Sequence, residues 1–190
     1  KQNVSVNNLH SIYPEIQGYK IMNNNTLINN LTFRARWLLR AGITKKNGQH
    51  NFFQYSAGLR STIPVHNNHS FILNFNYGKS FTKNLNHIPS SLQFAAGGGQ
   101  SVRGYDFNEL GPSKNMININ YEYLYRLKGQ WHLSSFIDTV KIDSNWGNKW
   151  FKGIGLGISW QSDIAQIGLS LARAVSLPDK PFRLQLVVTA

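Results

Sequence analysis

The chain has 190 residues, no cysteine, 41% hydrophobic residues and a formal net charge of +12. The missing cysteine excludes disulfide frameworks, thiolate metal sites and cysteine nucleophiles. No apolar run approaches the roughly 18 residues of a membrane helix, and no apolar core follows Lys1-Gln2-Asn3-Val4 as it would in a signal peptide.

In chain order, Leu9 to Tyr19 reads as a strand with Pro14 at an end or an irregularity. From Leu31 to Ala41 the period is two: Leu31, Phe33, Ala35, Trp37, Leu39 and Ala41 share one face, and Thr32, Arg34, Arg36, Leu38 and Arg40 the other. Phe53, Tyr55, Ala57 and Leu59 oppose Gln54, Ser56, Gly58 and Arg60, and the stretch Ile63-Pro64 to His69 predicts a turn. Phe71, Leu73, Phe75 and Tyr77 oppose Ile72, Asn74, Asn76 and Gly78. From Phe81 to Ser113 the alternation stops for about 33 residues, far longer than a hairpin connection, and loops of that length carry function or are disordered.

Regularity returns with Ile117, Ile119, Tyr121, Tyr123, Tyr125 and Leu127 against Asn118, Asn120, Glu122, Leu124 and Arg126. A tight turn at Lys128-Gly129-Gln130 follows. In the next strand Trp131, Leu133, Ile137 and Thr139 oppose His132, Ser134, Phe136 and Asp138. Ile154, Leu156, Ile158 and Trp160 then oppose Gly153, Gly155, Gly157 and Ser159, and Ile167, Leu169 and Leu171 oppose Gly168, Ser170 and Ala172. The last strand runs from Phe182 to Ala190. Eight strands are clear and a ninth is formed by the first segment, with no linker or domain boundary in 1–190. A negative mean hydropathy agrees with an antiparallel transmembrane β-barrel, in which every second residue faces lipid.

The positive charge raises nucleic-acid binding, but its distribution argues otherwise. Arg34, Arg36, Arg40 and Arg60 lie on the polar face of strands, whereas Lys45, Lys46, Lys79, Lys83 and Lys114 gather in or beside loops. A basic lumen with loops facing anionic lipid headgroups accounts for both groups, and no nucleic-acid partner is expected. Trp37, Trp131, Trp146, Trp150 and Trp160, with the Tyr121 to Tyr125 stripe, read as aromatic girdles.

The long loop holds Gly97-Gly98-Gly99 and then Val102-Arg103-Gly104-Tyr105. An arginine on a glycine-flexible loop above a polar interior can reach a carboxylate on the wall, and Glu122 and Asp138 face inward on the two strands that follow. On spacing alone, Glu122 pairs equally well with Arg126 or with a wall arginine. The small inward residues Gly153, Gly155 and Gly157 leave room for the loop to pack there. No Gly-Lys-Ser/Thr follows the glycines, so a phosphate cradle is not expected. His66 and His69 lack a convergent third ligand, and no Gly-x-Ser-x-Gly elbow is present. No catalytic residue, cofactor or metal is expected.

The run Gln93 to Tyr105, then Gly129 to Asp138, then Gly153 to Trp160 resembles in order and spacing the BamA/TamA superfamily of outer-membrane barrels, nearest its TamA branch. The resemblance implies the C-terminal half of a sixteen-stranded barrel that follows periplasmic POTRA domains, incomplete at both ends here. It implies that the loop arginine contacts the aspartate of a Phe-x-Asp-x-Gly element, which is Phe136-Ile137-Asp138-Thr139-Val140 in this chain, with Val140 in place of the glycine. The implied location is the outer membrane of a Gram-negative bacterium. The implied function is assembly of β-barrel proteins, autotransporters among them, through a lateral seam with Phe182, Leu184, Leu186 and Val188 on one lip. The partners implied are outer-membrane lipid and lipopolysaccharide, unfolded barrel clients and an inner-membrane-anchored subunit. Two alternatives are a two-partner secretion transporter, which exports one soluble protein, and a barrel enzyme such as an outer-membrane phospholipase, for which no Ser/His pair is evident.

Overall fold

The computed structural model describes residues 10–24, 31–45, 49–145, 147, 149–162, 164–179 and 181–189. Leu9, Lys46, Trp146 and Ala190 of the sequence reading lie outside these residues. The strands are β1 (His10–Ile12), β2 (Glu15–Asn24), β3 (Leu31–Lys45), β4 (Gln49–His66), β5 (His69–Phe81), β6 (Phe94–Ala96), β7 (Leu110–Ser113), β8 (Asn115–Arg126), β9 (Trp131–Ile142), β10 (Phe151–Gln161), β11 (Gln166–Ala174) and β12 (Phe182–Thr189). One antiparallel sheet runs β1-β3-β4-β5-β8-β9-β10-β11-β12, with β2 also on β3; β6 and β7 form a separate pair. No helix among the described residues is long and apolar enough to cross a membrane.

Pro14 marks the irregularity expected of it, and two boundaries need correction. The first strand is split: β1 pairs with Ile43–Lys45 and β2 with Leu31–Arg40, because Pro14 has no N–H to give the ladder. Its carbonyl still accepts the Ala41 N–H at 3.4 Å, so the break lies within one strand position, which runs on to Asn24 rather than ending at Tyr19. Pro64 is not in a turn. β4 continues to His66, a register shift between Pro64 and His66 absorbs the proline, and the reversal falls on Asn67-Asn68. The long connection after Phe81 is ordered, with two short 3-10 turns and the β6–β7 pair.

The two-residue period appears directly as alternating exposure. On β10 to β12 Leu156 is 67%, Leu171 50% and Leu184 68% exposed, whereas Gly153, Ser159, Ser170 and Ala172 between them are buried. Large side chains exposed along every strand of the main sheet form an outer face built for hydrocarbon. Aromatic pairs cross that face, including Phe71 with Tyr121 and Tyr55 with Tyr77, at ring separations of 5.6 Å. Trp131 and Trp160 are register partners beside the Lys128–Gln130 turn.

The inner face is polar and curved. A cavity of about 580 Å³ is lined from Ile21 on β2 through Arg34 and Arg60 to Ser170 and Val187 on β11 and β12. Arg40 is held by Glu15 and by Gln54, the latter at 2.8 Å, and Arg36 donates to Asn76 at 2.8 Å. The β5–β8 connection folds into the concave side. Its first part packs Ile88 and Leu92 on Phe52 of β4. Buried Gln54 there donates to the Leu92 carbonyl and to Ser80 Oγ, both at 2.8 Å. Gly78 leaves the space that the Phe94 ring fills.

Candidate functional site

The second part of the loop is folded on itself before it meets the wall. The Ser101 hydroxyl accepts the Gly97 N–H at 2.7 Å and donates to the Gly97 carbonyl at 3.0 Å. The Gly98 N–H donates to the Tyr105 carbonyl at 3.1 Å. Asn120 of β8 donates its side-chain amide to the Ser101 carbonyl. Gly104 has φ +94°, and a Cβ there would lie 2.8 Å from the backbone nitrogen of Ala174. Only glycine permits both that backbone and that approach. The closed loop therefore presents Val102, Arg103 and Tyr105 to strands β8 to β11.

Arg103 is brought together with both predicted carboxylates. Its Nε donates to Asp138 Oδ2 at 2.7 Å and its Nη2 to Oδ1 at 2.9 Å, a bidentate fork, while the Arg103 backbone N–H adds a third bond to Oδ2 at 3.0 Å. Nη1 reaches Glu122 Oε1 at 3.2 Å, so Glu122 takes the loop arginine rather than Arg126, which bonds to the Gly129 carbonyl. The guanidinium carbon also sits 3.3 Å from the centroid of the Phe136 ring, giving the flat cation a π face. Asp138 is fully buried, and the Arg103 side chain is 12% exposed. Burial works to lower the Arg103 pKa, but the hydrogen bonds and charge of Asp138 and then Glu122 outweigh it and hold the group above its ordinary value.

Apolar packing surrounds this fork. Val102 and Tyr105, both fully buried, join Ala96 and Leu110 of the loop with Val140, Ile142 and Ala174 of the wall. The Tyr105 hydroxyl donates to the Lys152 carbonyl at 3.2 Å, and its ring meets Phe151 edge-on at 6.1 Å. Val140, where the resemblance has a glycine, fills the space beside the loop instead of opening it.

The three wall glycines serve different neighbours. A Cβ on Gly153 would overlap the Arg103 carbonyl oxygen, so that glycine makes room for the loop. On Gly155 it would meet the Leu171 carbonyl and Phe136, and on Gly157 the nearest atom is Ser134 Oγ at 2.8 Å. Space for the loop is thus needed at one position of the three.

Phe182, Leu184, Leu186 and Val188 point outward from β12 and are 61–68% exposed. The sequence reading stopped at this stripe and missed the inward residues between them. Arg183 bonds to the Gly104 carbonyl and Asp106, and Gln185 to Tyr105 and Gly104. The signal was present in the alternation, which puts Arg183, Gln185 and Val187 on the lumen side, and in the acids Asp106 and Glu109 just after the tetrapeptide. His69, considered as a metal ligand, instead hydrogen-bonds Tyr123.

Compared with known families, residues 23–186 match the Omp85 superfamily domain.

Proposed function

The chain belongs to the Omp85 superfamily, and from that premise we propose that it is part of an outer-membrane barrel that assembles β-barrel clients, autotransporters among them, at a lateral seam bounded by β12. The superfamily's association with barrel insertion or secretion at the Gram-negative outer membrane gives the coarse frame. The observation that carries the finer reading is where the loop sits. Arg103 is fixed by a bidentate bond to a fully buried aspartate, and Tyr105 is sealed into the wall. Export through the lumen would have to break this anchor, whereas work at the seam leaves it in place. The β12 edge meanwhile has a ladder only to β11 among the described residues, so a client strand can add there by backbone hydrogen bonding.

In this reading Val102, Arg103, Gly104, Tyr105, Glu122 and Asp138 keep the wall rigid while the seam moves. Phe182, Leu184, Leu186 and Val188 face the lipid that a client strand enters. Lipopolysaccharide lies against the outer face, and an inner-membrane-anchored subunit, as in the TamA-like branch, completes the assembly. The test uses the full-length protein in lipid vesicles with an unfolded autotransporter barrel as client, scored by the client's protease-resistant fold. Wild type is expected to speed client folding and Arg103→Ala to lose most of that gain. Equal client folding with and without the protein, alongside release of a soluble passenger across the vesicle, would replace assembly with secretion.

A further inference from the structure

Every inward side chain in the middle of β12 ends on the loop. Arg183 donates from Nη1 to the Gly104 carbonyl at 2.6 Å and from Nη2 to Asp106 Oδ2 at 2.8 Å, with Glu109 Oε2 3.3 Å from Nη1. Gln185 takes the backbone from both sides: its Oε1 accepts the Gly104 N–H at 3.3 Å and its Nε2 donates to the Tyr105 carbonyl at 2.9 Å. Two residues on, Val187 occupies the space that a Cβ on Gly99 would need. The arrangement spans three successive lumen-facing positions of one strand and a single stretch of loop. It differs in kind from the Arg103 anchor, because the Asp106 side chain is 69% exposed and Arg183 25%. Such a pair is weak and open to salt, and so is reversible.

We propose that Arg183 and Gln185 are positioning residues that latch β12 to the loop, holding the strand's edge in the resting barrel and freeing it when a client strand pairs. The inference rests on the seam reading above and adds to it the device that sets when the edge is available. The loop's wall anchor on β8 and β9 stays closed throughout, so the latch moves β12 relative to a fixed loop.

The test again uses the full-length protein in lipid vesicles. Amide hydrogen exchange over 182–189 is expected to rise at least about tenfold in Arg183→Ala and in Gln185→Ala, with 151–161 unchanged. Arg183→Lys, which keeps the charge, is expected to fall between the two. Raising salt to about 1 M should carry wild-type exchange part of the way to that of Arg183→Ala, since the bond to the Gly104 carbonyl survives, and add nothing in Arg183→Ala, a dependence that simple loss of packing does not produce. The second test needs no weakened strand. A Cβ on Gly99 would lie 3.9 Å from Val187 Cβ, within the roughly 3.5–4.5 Å of a disulfide, and the chain has no cysteine of its own. Gly99→Cys with Val187→Cys should slow client assembly at least about tenfold when oxidised and recover on reduction. Unchanged exchange over 182–189 in both single variants, or assembly at full rate with the disulfide closed, overturns the latch. Raised exchange in Arg183→Ala in a protein that assembles no client at all would support the latch and refute the assembly reading.

Discussion

Asp138→Ala gives the sharpest test of how the loop is held. The substitution removes the acceptor of three hydrogen bonds from Arg103, at 2.7, 2.9 and 3.0 Å. Hydrogen bonds to a charged group are worth about 1.5–3 kcal/mol each, yet they are not additive here because one rigid guanidinium makes two of them. Breaking one side of a buried pair costs about 3–5 kcal/mol, most of it from the charge left behind. Arg103 keeps Glu122 at 3.2 Å and has 12% of its side chain exposed to the cavity, so the low end applies, about 3 kcal/mol. At about 1.4 kcal/mol per decade, loop opening becomes roughly 100-fold more frequent. The reporter is the Gly98 amide, which donates to the Tyr105 carbonyl inside the loop and does not touch Asp138. Its exchange rate tracks the open population of the loop as a unit. Glu122→Gln, which weakens a single longer contact to a partly exposed carboxylate, should raise the rate by no more than about tenfold. A Gly98 rate in Asp138→Ala within about threefold of wild type, or a larger effect from Glu122→Gln, would refute the assignment of Asp138 as the main anchor.

Three further outcomes follow from the same contacts. Gly153→Ala should open the loop at a cost of about 1–3 kcal/mol, since its methyl overlaps the Arg103 carbonyl, which is backbone. Gly157→Ala, whose methyl meets the rotatable Ser134 hydroxyl at 2.8 Å and the Leu169 carbonyl at 3.2 Å but no atom of the loop, should leave loop opening within about 0.5 kcal/mol by the same exchange measurement. Tyr105→Phe loses the bond to the Lys152 carbonyl and should cost about 1 kcal/mol, while Tyr105→Ala empties a fully buried site and should cost about 3–5 kcal/mol in the unfolding free energy of the loop. Gln54→Leu strands the Leu92 carbonyl and Ser80; amides over 85–92 should exchange faster by the equivalent of about 1–3 kcal/mol while those over 97–105 keep the wild-type rate.

What was legible in the sequence follows from the physics of a strand. A period of two is imposed by lipid on one side and water on the other, so Leu31 to Ala41 or Ile117 to Leu127 could be assigned without a structure. The Arg103 constellation was readable because burying a guanidinium demands a carboxylate, and Glu122 and Asp138 were the inward acids nearest in the chain. The choice between Arg103 and Arg126 for Glu122 was not readable, because it depends on how far the loop descends. Pro14 was readable as an irregularity, whereas Pro64 misled because a register shift absorbed it. Nothing local shows that β4 can bulge beside Val65 and still complete its ladder to His69. The β12 contacts were missed for another reason. Arg183 and Asp106 are 77 residues apart, and only the curvature of the sheet brings that strand to the loop.

The contacts around the loop form a gradient of strength that has a direction. On β8 and β9 the hold is a bidentate pair onto a buried carboxylate, worth several kcal/mol to break, reinforced by the apolar cluster of Val102, Tyr105, Val140 and Ile142. On β12 it is an ion pair with an exposed acid, worth about 1 kcal/mol or less, beside the Arg183 bond to the Gly104 carbonyl and two bonds from one glutamine amide, none of them to a buried charge. Gly153 lies between them on β10, where loop and wall backbones touch with no side chain to yield. The loop's contacts with β12 are therefore the first to give, and its fork on β9 the last. In the assembly role proposed above, one edge opens while the rest keeps its shape; that order serves it, and it arises here from the burial of one aspartate and the exposure of another.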